Sequence, residues 1–302
     1  MSLIPTVALA SGYRISRLIK GGWHLAGGHG SIDRGQALRD MAAFVESGIT
    51  TFDCADIYTG VEELIGEFRA AYPTLARQVQ IHTKFVPDLD RLATIGAAEV
   101  ESIIDRSLRR LGVETLDLVQ FHWWDYALPR HVEIALELER LRRGGKIRHI
   151  GLTNFDLEHL QQIVEGGVPV VSHQVQYSLL DERPSGAMAE YCAARGIGLL
   201  CYGTVAGGFL SNAWLGRLAP TELANRSLTK YRLIIEEFGG WELFQQLLEV
   251  LQHVALRHDV DIASVATRFV LDQRGVAAAI VGATSTAHLA QHRTIAELTL
   301  SS

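Results

Sequence analysis

Apolar and polar residues alternate between two periods along the chain, and the switches mark its elements. Residues 6–16 carry two short β-like runs around Ser11-Gly12, which predicts a hairpin. Residues 17–22 read as a strand ending in Gly21-Gly22. After a loop, Ser31 or Asp33 can cap a helix in which Ala37, Leu38, Met41 and Val45 recur at helical spacing. Gly48 ends that helix, and 49–52 form a strand with Asp53 at its tip. A helix over 62–70 and a strand over 79–83 follow. Val100, Ile103, Ile104, Ser107, Leu108 and Leu111 then mark the clearest amphipathic helix, closed by Gly112. The alternation continues with strand 116–121, helix 131–143, the stop Gly144-Gly145 and strand 147–151. Helix 156–164, strand 170–175, helix 185–194, strand 198–202 and a last strand at 278–281 complete it.

Eight strands, each followed by a helix, predict an α/β protein of the (β/α)8 TIM barrel type, with the hairpin ahead of it. One domain over residues 1–302 is expected. The regular spacing breaks after the seventh strand, where 203–240 read as a long loop before a helix over 241–257. A loop of that length inside a compact domain is usually functional, and a flap over a ligand is expected there.

This arrangement gives four reactive side chains one address. Asp53 and Tyr58 lie just past one strand, Lys84 closes another, and His122 closes a third. In a parallel barrel the carboxyl ends of the strands form one rim, where catalytic groups belong. Tyr58 can supply the proton that carbonyl reduction requires. A free phenol has a pKa of ~10, and a nearby ammonium lowers it, a role that fits Lys84. Asp53 can pair with a desolvated Lys84, and His122 can donate to a substrate oxygen or relay protons. Singly, each of these residues has a bland reading as a cap, a surface group or a core histidine. Together at strand ends, they do not.

Composition narrows the rest. A net charge of −6 and a pI near 6.1 argue against nucleic-acid or anionic membrane surfaces. Cys54, Cys192 and Cys201 form no C-x-x-C pair, which suits a reducing cytoplasm, and Cys54 should pack rather than react. No signal peptide or membrane span is expected. His24 and His29 lie in a glycine-rich loop without Cys, Asp or Glu, so no metal is expected. Trp23, His24 and Trp123 are candidates for a substrate wall beside Tyr58 and His122, whereas Trp124 and Tyr126 read as packing.

Several segments together resemble the aldo/keto reductase superfamily. They are Phe52 to Tyr58 with Glu63-Leu64-Ile65-Gly66, the strand ending His82-Thr83-Lys84, the strand Leu116 to His122, and Gly145 to Phe155. The resemblance spans roughly residues 15 to 295. It implies a nicotinamide cofactor bound in extended form, with Asp53, Tyr58, Lys84 and His122 as the catalytic tetrad. By the same resemblance Thr153, Asn154 and Gln174 hold the carboxamide, Tyr202 stacks on the ring, and Gly22, Trp23 and Asp53 line the site. The segment Gly203-Thr204-Val205-Ala206-Gly207 departs from the family's usual Ser-Pro-Leu, leaving backbone groups of Gly203, Val205 and Gly207 to line the pyrophosphate. Gly282 and Thr284 open the phosphate end, and His288, Gln291 and His292 match positions near the adenosine. Many relatives carry a base at the positions of Thr284 or Ser285. This chain does not, and Arg226 and Lys230 of the long loop are candidates to replace it.

The reading is therefore an NADP-dependent oxidoreductase, NAD being the competitor, that reversibly reduces an aldehyde or ketone. Its partner is a small molecule. The alternatives are an NAD-linked dehydrogenase of a sugar or hydroxymethyl compound, and a cofactor-binding redox-sensing subunit.

Overall fold

The computed structural model describes residues 3–26, 32–223, 226–282 and 285–300, without the side chain of Arg226. Strands β1 (Thr6–Ala10) and β2 (Tyr13–Ser16) pair antiparallel, with Thr6 opposite Ser16, and turn at Ser11-Gly12 as expected. Gly12 takes φ +67°, a conformation open to residues without a Cβ. The hairpin's Leu9, Tyr13 and Ile15 pack on Ile19, Leu118 and Leu200 of the barrel strands. The Tyr13 hydroxyl lies 3.0 Å from His82 Nε2, so the hairpin seals the barrel interior from below.

Eight parallel strands then close on themselves: β3 (Leu18–Gly21), β4 (Thr51–Asp53), β5 (Gln80–Phe85), β6 (Leu116–Phe121), β7 (Ile147–Thr153), β8 (Val170–Gln176), β9 (Gly198–Tyr202) and β10 (Val276–Gly282). Each pairs with the next, and β10 returns to β3. The outer layer comprises α1 (Arg34–Glu46), α2 (Val61–Ala71), α3 (Pro73–Ala76), α4 (Ala97–Leu111), α5 (His131–Arg143), α6 (Leu157–Glu165), α7 (Ala187–Arg195), α8 (Arg226–Phe238), α9 (Gly240–Arg257), α10 (Ile262–Leu271) and α11 (Leu289–Glu297). Asp33 caps α1 by accepting the Gln36 N–H at 3.0 Å; Ser31, the other candidate, lies outside the described residues. Helix α4 buries Val100, Ile104, Ser107 and Leu111, the stripe read from the sequence, and stops at Gly112 with φ +64°.

The stretch 203–240 is not one long loop. It contains α8, in which Leu228, Tyr231, Ile235 and Phe238 recur at helical spacing. Together with Phe209, Leu210, Phe244 and Leu248 they build a second apolar core beside the barrel. The glycines at its start are there for a packing reason: a Cβ on Gly203 would meet the Tyr231 hydroxyl at 2.4 Å, and one on Gly207 the Tyr231 ring at 2.6 Å. Among the described residues, no helix is long and apolar enough to cross a membrane.

Candidate active site

Strands β4, β5 and β6 are neighbours, and their parallel register brings the ends carrying Asp53, Lys84 and His122 to one rim. Lys84 Nζ donates to Asp53 Oδ2 at 2.7 Å and to the Cys54 carbonyl at 2.9 Å. Both side chains are buried. Asp53 Oδ1 accepts the side-chain amides of Gln120 at 2.9 Å and Gln174 at 2.7 Å. Gln174 also donates to Gln120 Oε1 at 2.8 Å. A buried ion pair is tolerable only when its remaining lone pairs are satisfied, and these two amides satisfy them.

Tyr58 sits over this pair, with the Lys84 ammonium 5.0 Å from its ring centre. Burial alone would lower the pKa of Lys84, but the charges of Asp53 and Tyr58 leave it raised, so the ammonium persists. The expectation that Lys84 draws the Tyr58 pKa downward needs correcting. Lys84 does act in that direction, but desolvation acts more strongly the other way and Asp53 opposes it, leaving the phenol above its ordinary value. The Tyr58 phenol is thus protonated at neutral pH, with the Lys84 ammonium beside it.

His122 Nδ1 lies 3.2 Å from the Thr153 carbonyl oxygen. A carbonyl only accepts, so Nδ1 carries the proton and the neutral ring offers a lone pair at Nε2. Burial lowers the pKa of His122, which favours that neutral ring. Its Nε2 edge is left for the mouth.

The aromatic rim also differs from expectation. Trp23 is 43% exposed, stands edge-on to Tyr58 at 5.1 Å, and donates to Ser227 Oγ at 3.2 Å, joining the loop after β3 to α8. Trp123, expected on the substrate wall, is 2% exposed; its N–H is shared between the Asp125 and Leu128 carbonyls, and its ring packs on Phe121. Trp124, expected to pack, is 50% exposed and meets His122 edge-on at 4.5 Å. Strand β6 ends at Phe121, so the strict alternation of a strand no longer decides which indole faces the mouth. His24 lies against Gly282 at the end of β10. Tyr126 stacks on His159 at 3.6 Å, as packing predicts. The Cys54 thiol is buried in the main core and burial pushes its pKa far up, so it is no nucleophile.

The other candidates divide into two groups. Gly22 lies in the site because it must: a Cβ there would meet the Asp53 carbonyl oxygen at 2.7 Å. Thr153 and Asn154 continue β7 at the rim, and Asn154 adopts φ +58°, a left-handed conformation that Asn tolerates. Asn154 Oδ1 accepts the Tyr202 hydroxyl at 2.9 Å. Asn154 therefore keeps its amide N–H groups to give, and Gln174 keeps its carbonyl oxygen to accept. That donor and acceptor complement a carboxamide, so these residues fit the nicotinamide amide. Lys230 lies 5.0 Å from the Tyr202 ring centre and 5.4 Å from that of Tyr231, beside the ring expected to stack on the nicotinamide. The side chain of Arg226, as well as Thr284 and His29, lie outside the described residues.

The adenosine-end group is less open than expected. His288 is exposed, but His292 is 3% exposed and its ring centre lies 6.2 Å from that of Phe44 in α1. Burial pushes its pKa down to about 4, so it is neutral and brings no charge for a phosphate. Gln291 is occupied, donating to Asp261 Oδ2 at 2.7 Å. Among the described residues no group of three His, Cys, Asp or Glu side chains could hold a metal ion.

Two residues of this site escape the sequence reading. Gln120 is one, and its signal was available: it lies two residues before His122 in an apolar strand, hence on the same inward face. Trp124 is the other, and no local signal separates it from Trp123.

Fold and rim together define a class, a closed parallel barrel with a phenol, a lysine–carboxylate pair and a histidine at its strand ends. The chain belongs to the aldo/keto reductase family, whose sequence profile matches residues 17–302. It is 28% identical to flagellar radial spoke protein 5 of Chlamydomonas reinhardtii over 78% of this chain, but spans only 56% of that protein. It is 26% identical to aldo-keto reductase YhdN of Bacillus subtilis, over 90% of this chain and 82% of that one. In fold it resembles a glycerol dehydrogenase from Gluconobacter oxydans, with a TM-score of 0.80 at 24% identity, covering 98% of this chain and 91% of that one. An aldo/keto reductase from Klebsiella pneumoniae, solved with NADP and acetate, gives 0.71 at 23% identity with the same coverage.

Proposed function

We propose that this chain catalyses the reversible, NAD(P)H-dependent reduction of an aldehyde or ketone to an alcohol. The observation that carries this reading is the buried Lys84–Asp53 pair, 2.7 Å apart, beneath the Tyr58 phenol at the barrel mouth. The nicotinamide, when bound, supplies hydride to the carbonyl carbon. Tyr58 gives its proton to the carbonyl oxygen, and Lys84 stabilises the phenolate left behind. Asp53 keeps Lys84 charged and oriented. His122 stands at the mouth beside the reacting oxygen, where its ring can hydrogen-bond that oxygen or relay a proton. Asn154 and Gln174 would orient the carboxamide, and Trp23 and Trp124 would exclude water from either side of the reacting centre. A positioned general acid contributes roughly 10²- to 10⁴-fold in rate.

NADP is the first choice of cofactor, in keeping with the NADP complex of the Klebsiella relative. The neutral, buried His292 weighs for NAD, since it brings no charge to an extra phosphate. Titration with NADPH and NADH, followed by indole fluorescence, decides between them. The catalytic assignment is tested with Tyr58→Phe, which should retain cofactor affinity and lose carbonyl reduction by roughly 10²-fold or more. Wild-type turnover in that variant rejects it.

A further inference from the structure

The segment Glu63-Leu64-Ile65-Gly66 has no part in the chemistry above, yet the structure gives it a role. A Cβ on Gly66 would lie 2.2 Å from the Arg110 carbonyl oxygen, so α2 and α4 approach backbone to backbone at this point. That closeness lets the Arg110 side chain reach back over α2. Its Nε pairs with Glu63 at 2.9 Å. Its Nη1 donates to Glu62 Oε2 at 3.3 Å and to the Asp56 carbonyl at 3.0 Å. Glu62 is fully buried, and its other oxygen accepts the Thr83 hydroxyl at 2.6 Å.

These contacts join two segments that matter. Asp56 lies in the loop between Asp53 and Tyr58, and Thr83 immediately precedes Lys84 on β5. The side chains of Thr83 and Lys84 point to opposite faces of the strand, so Thr83 is anchored behind the barrel wall while Lys84 points into the mouth. The Asp56 N–H in turn faces the Lys84 carbonyl at 3.4 Å. One buried carboxylate, Glu62, is thus tied to the lysine strand through Thr83 and to the tyrosine loop through Arg110.

We propose that Thr83, Glu62 and Arg110 are positioning residues that hold the Tyr58 loop in register with the Lys84 strand. They set the separation of phenol and ammonium without touching substrate or cofactor. The proposal rests on Tyr58 being the proton donor. A misplacement of about 1 Å at a reacting group costs on the order of 10²-fold in rate, so partial loosening of the brace should be visible in turnover.

The test uses NADPH with 4-nitrobenzaldehyde, at a temperature well below the melting midpoint of every variant. Thr83→Val keeps the shape and loses the donor; Thr83→Ser keeps the donor. The expected result for Thr83→Val is kcat down by about tenfold or more, with KM and NADPH affinity within about twofold of wild type. Thr83→Ser should restore kcat. Arg110→Met should repeat the loss and Arg110→Lys should recover part of it, so the proposal stays testable if one variant does not fold. Folded Thr83→Val or Arg110→Met with wild-type kcat overturns the brace and leaves the assignment of Tyr58 standing. A wild type that transfers no hydride to any aldehyde removes that assignment, and the brace with it.

Discussion

Gln120 donates its side-chain N–H to Asp53 Oδ1 at 2.9 Å, two residues before His122, which directly follows the same strand. The carboxylate at the centre of the site is therefore held by a neighbouring wall of the barrel as well as by Lys84. Gln120→Leu should remove that donor without opening a cavity. The expected loss is about 1.5–3 kcal/mol, the range for a hydrogen bond to a charged group, read from urea unfolding. A variant as stable as wild type would overturn the role given to Gln120.

Lys84→Met leaves Asp53 buried without its cation. Removing one partner of a buried pair costs about 3–5 kcal/mol, so a large fall in melting temperature is expected along with the loss of turnover. Asp53→Asn in the same chain should recover much of the stability and none of the activity. Thermal melts of the single and double variants separate the two roles of the pair.

Asp56 is a pH-dependent liability beside the active loop. Burial first, and then the nearby Glu62 charge, raise its pKa from 3.8 to about 7. Its Oδ1 has no hydrogen-bond partner among the described residues, and Oδ2 has a long 3.5 Å contact to the Val86 N–H and a 3.7 Å contact to Arg106. Between these two pKa values the folded chain binds more protons than the unfolded one, so the contribution of Asp56 to stability falls as pH rises through that window. Asp56→Asn should match wild type near pH 4 and exceed it at pH 8 by on the order of a few kcal/mol. Chemical denaturation at the two pH values checks the sign; a difference independent of pH overturns it.

The tryptophans offer an optical check on the rim. Trp23 stands edge-on to Tyr58, while Trp123 is sealed under the β6 end with its N–H bonded twice. Trp214 packs on Phe209 at 4.7 Å in the second core. Trp23→Phe should therefore remove most of the fluorescence quenching caused by NADPH, and Trp123→Phe or Trp214→Phe little of it. The reverse order would mean that the cofactor lies elsewhere on the rim.

Much of this was legible in the chain. Period-two and period-3.6 patterns follow from which face of an element meets the core, so strands such as 116–121 and 198–202 and the helix 131–143 were readable to the residue. The addresses of Asp53, Tyr58, Lys84 and His122 followed from the same periodicity, since each lies at or just past a strand's carboxyl end. Helix α8 was missed, although its apolar residues follow a helical period, because glycines on either side made the stretch look irregular.

What the sequence determined by itself was the succession of elements and the rim to which each reactive residue belongs, because local hydrophobic period and turn chemistry act over neighbouring residues. The tertiary structure alone decided the balance of burial against charge at Tyr58, the proton position on His122, the exposure of Trp124 and burial of Trp123, the bond of Gln291 to Asp261 and the burial of His292. Each of these depends on groups tens to hundreds of residues away. Desolvation and hydrogen bonding are set by what surrounds a side chain in space, and only chain closure brings those surroundings together.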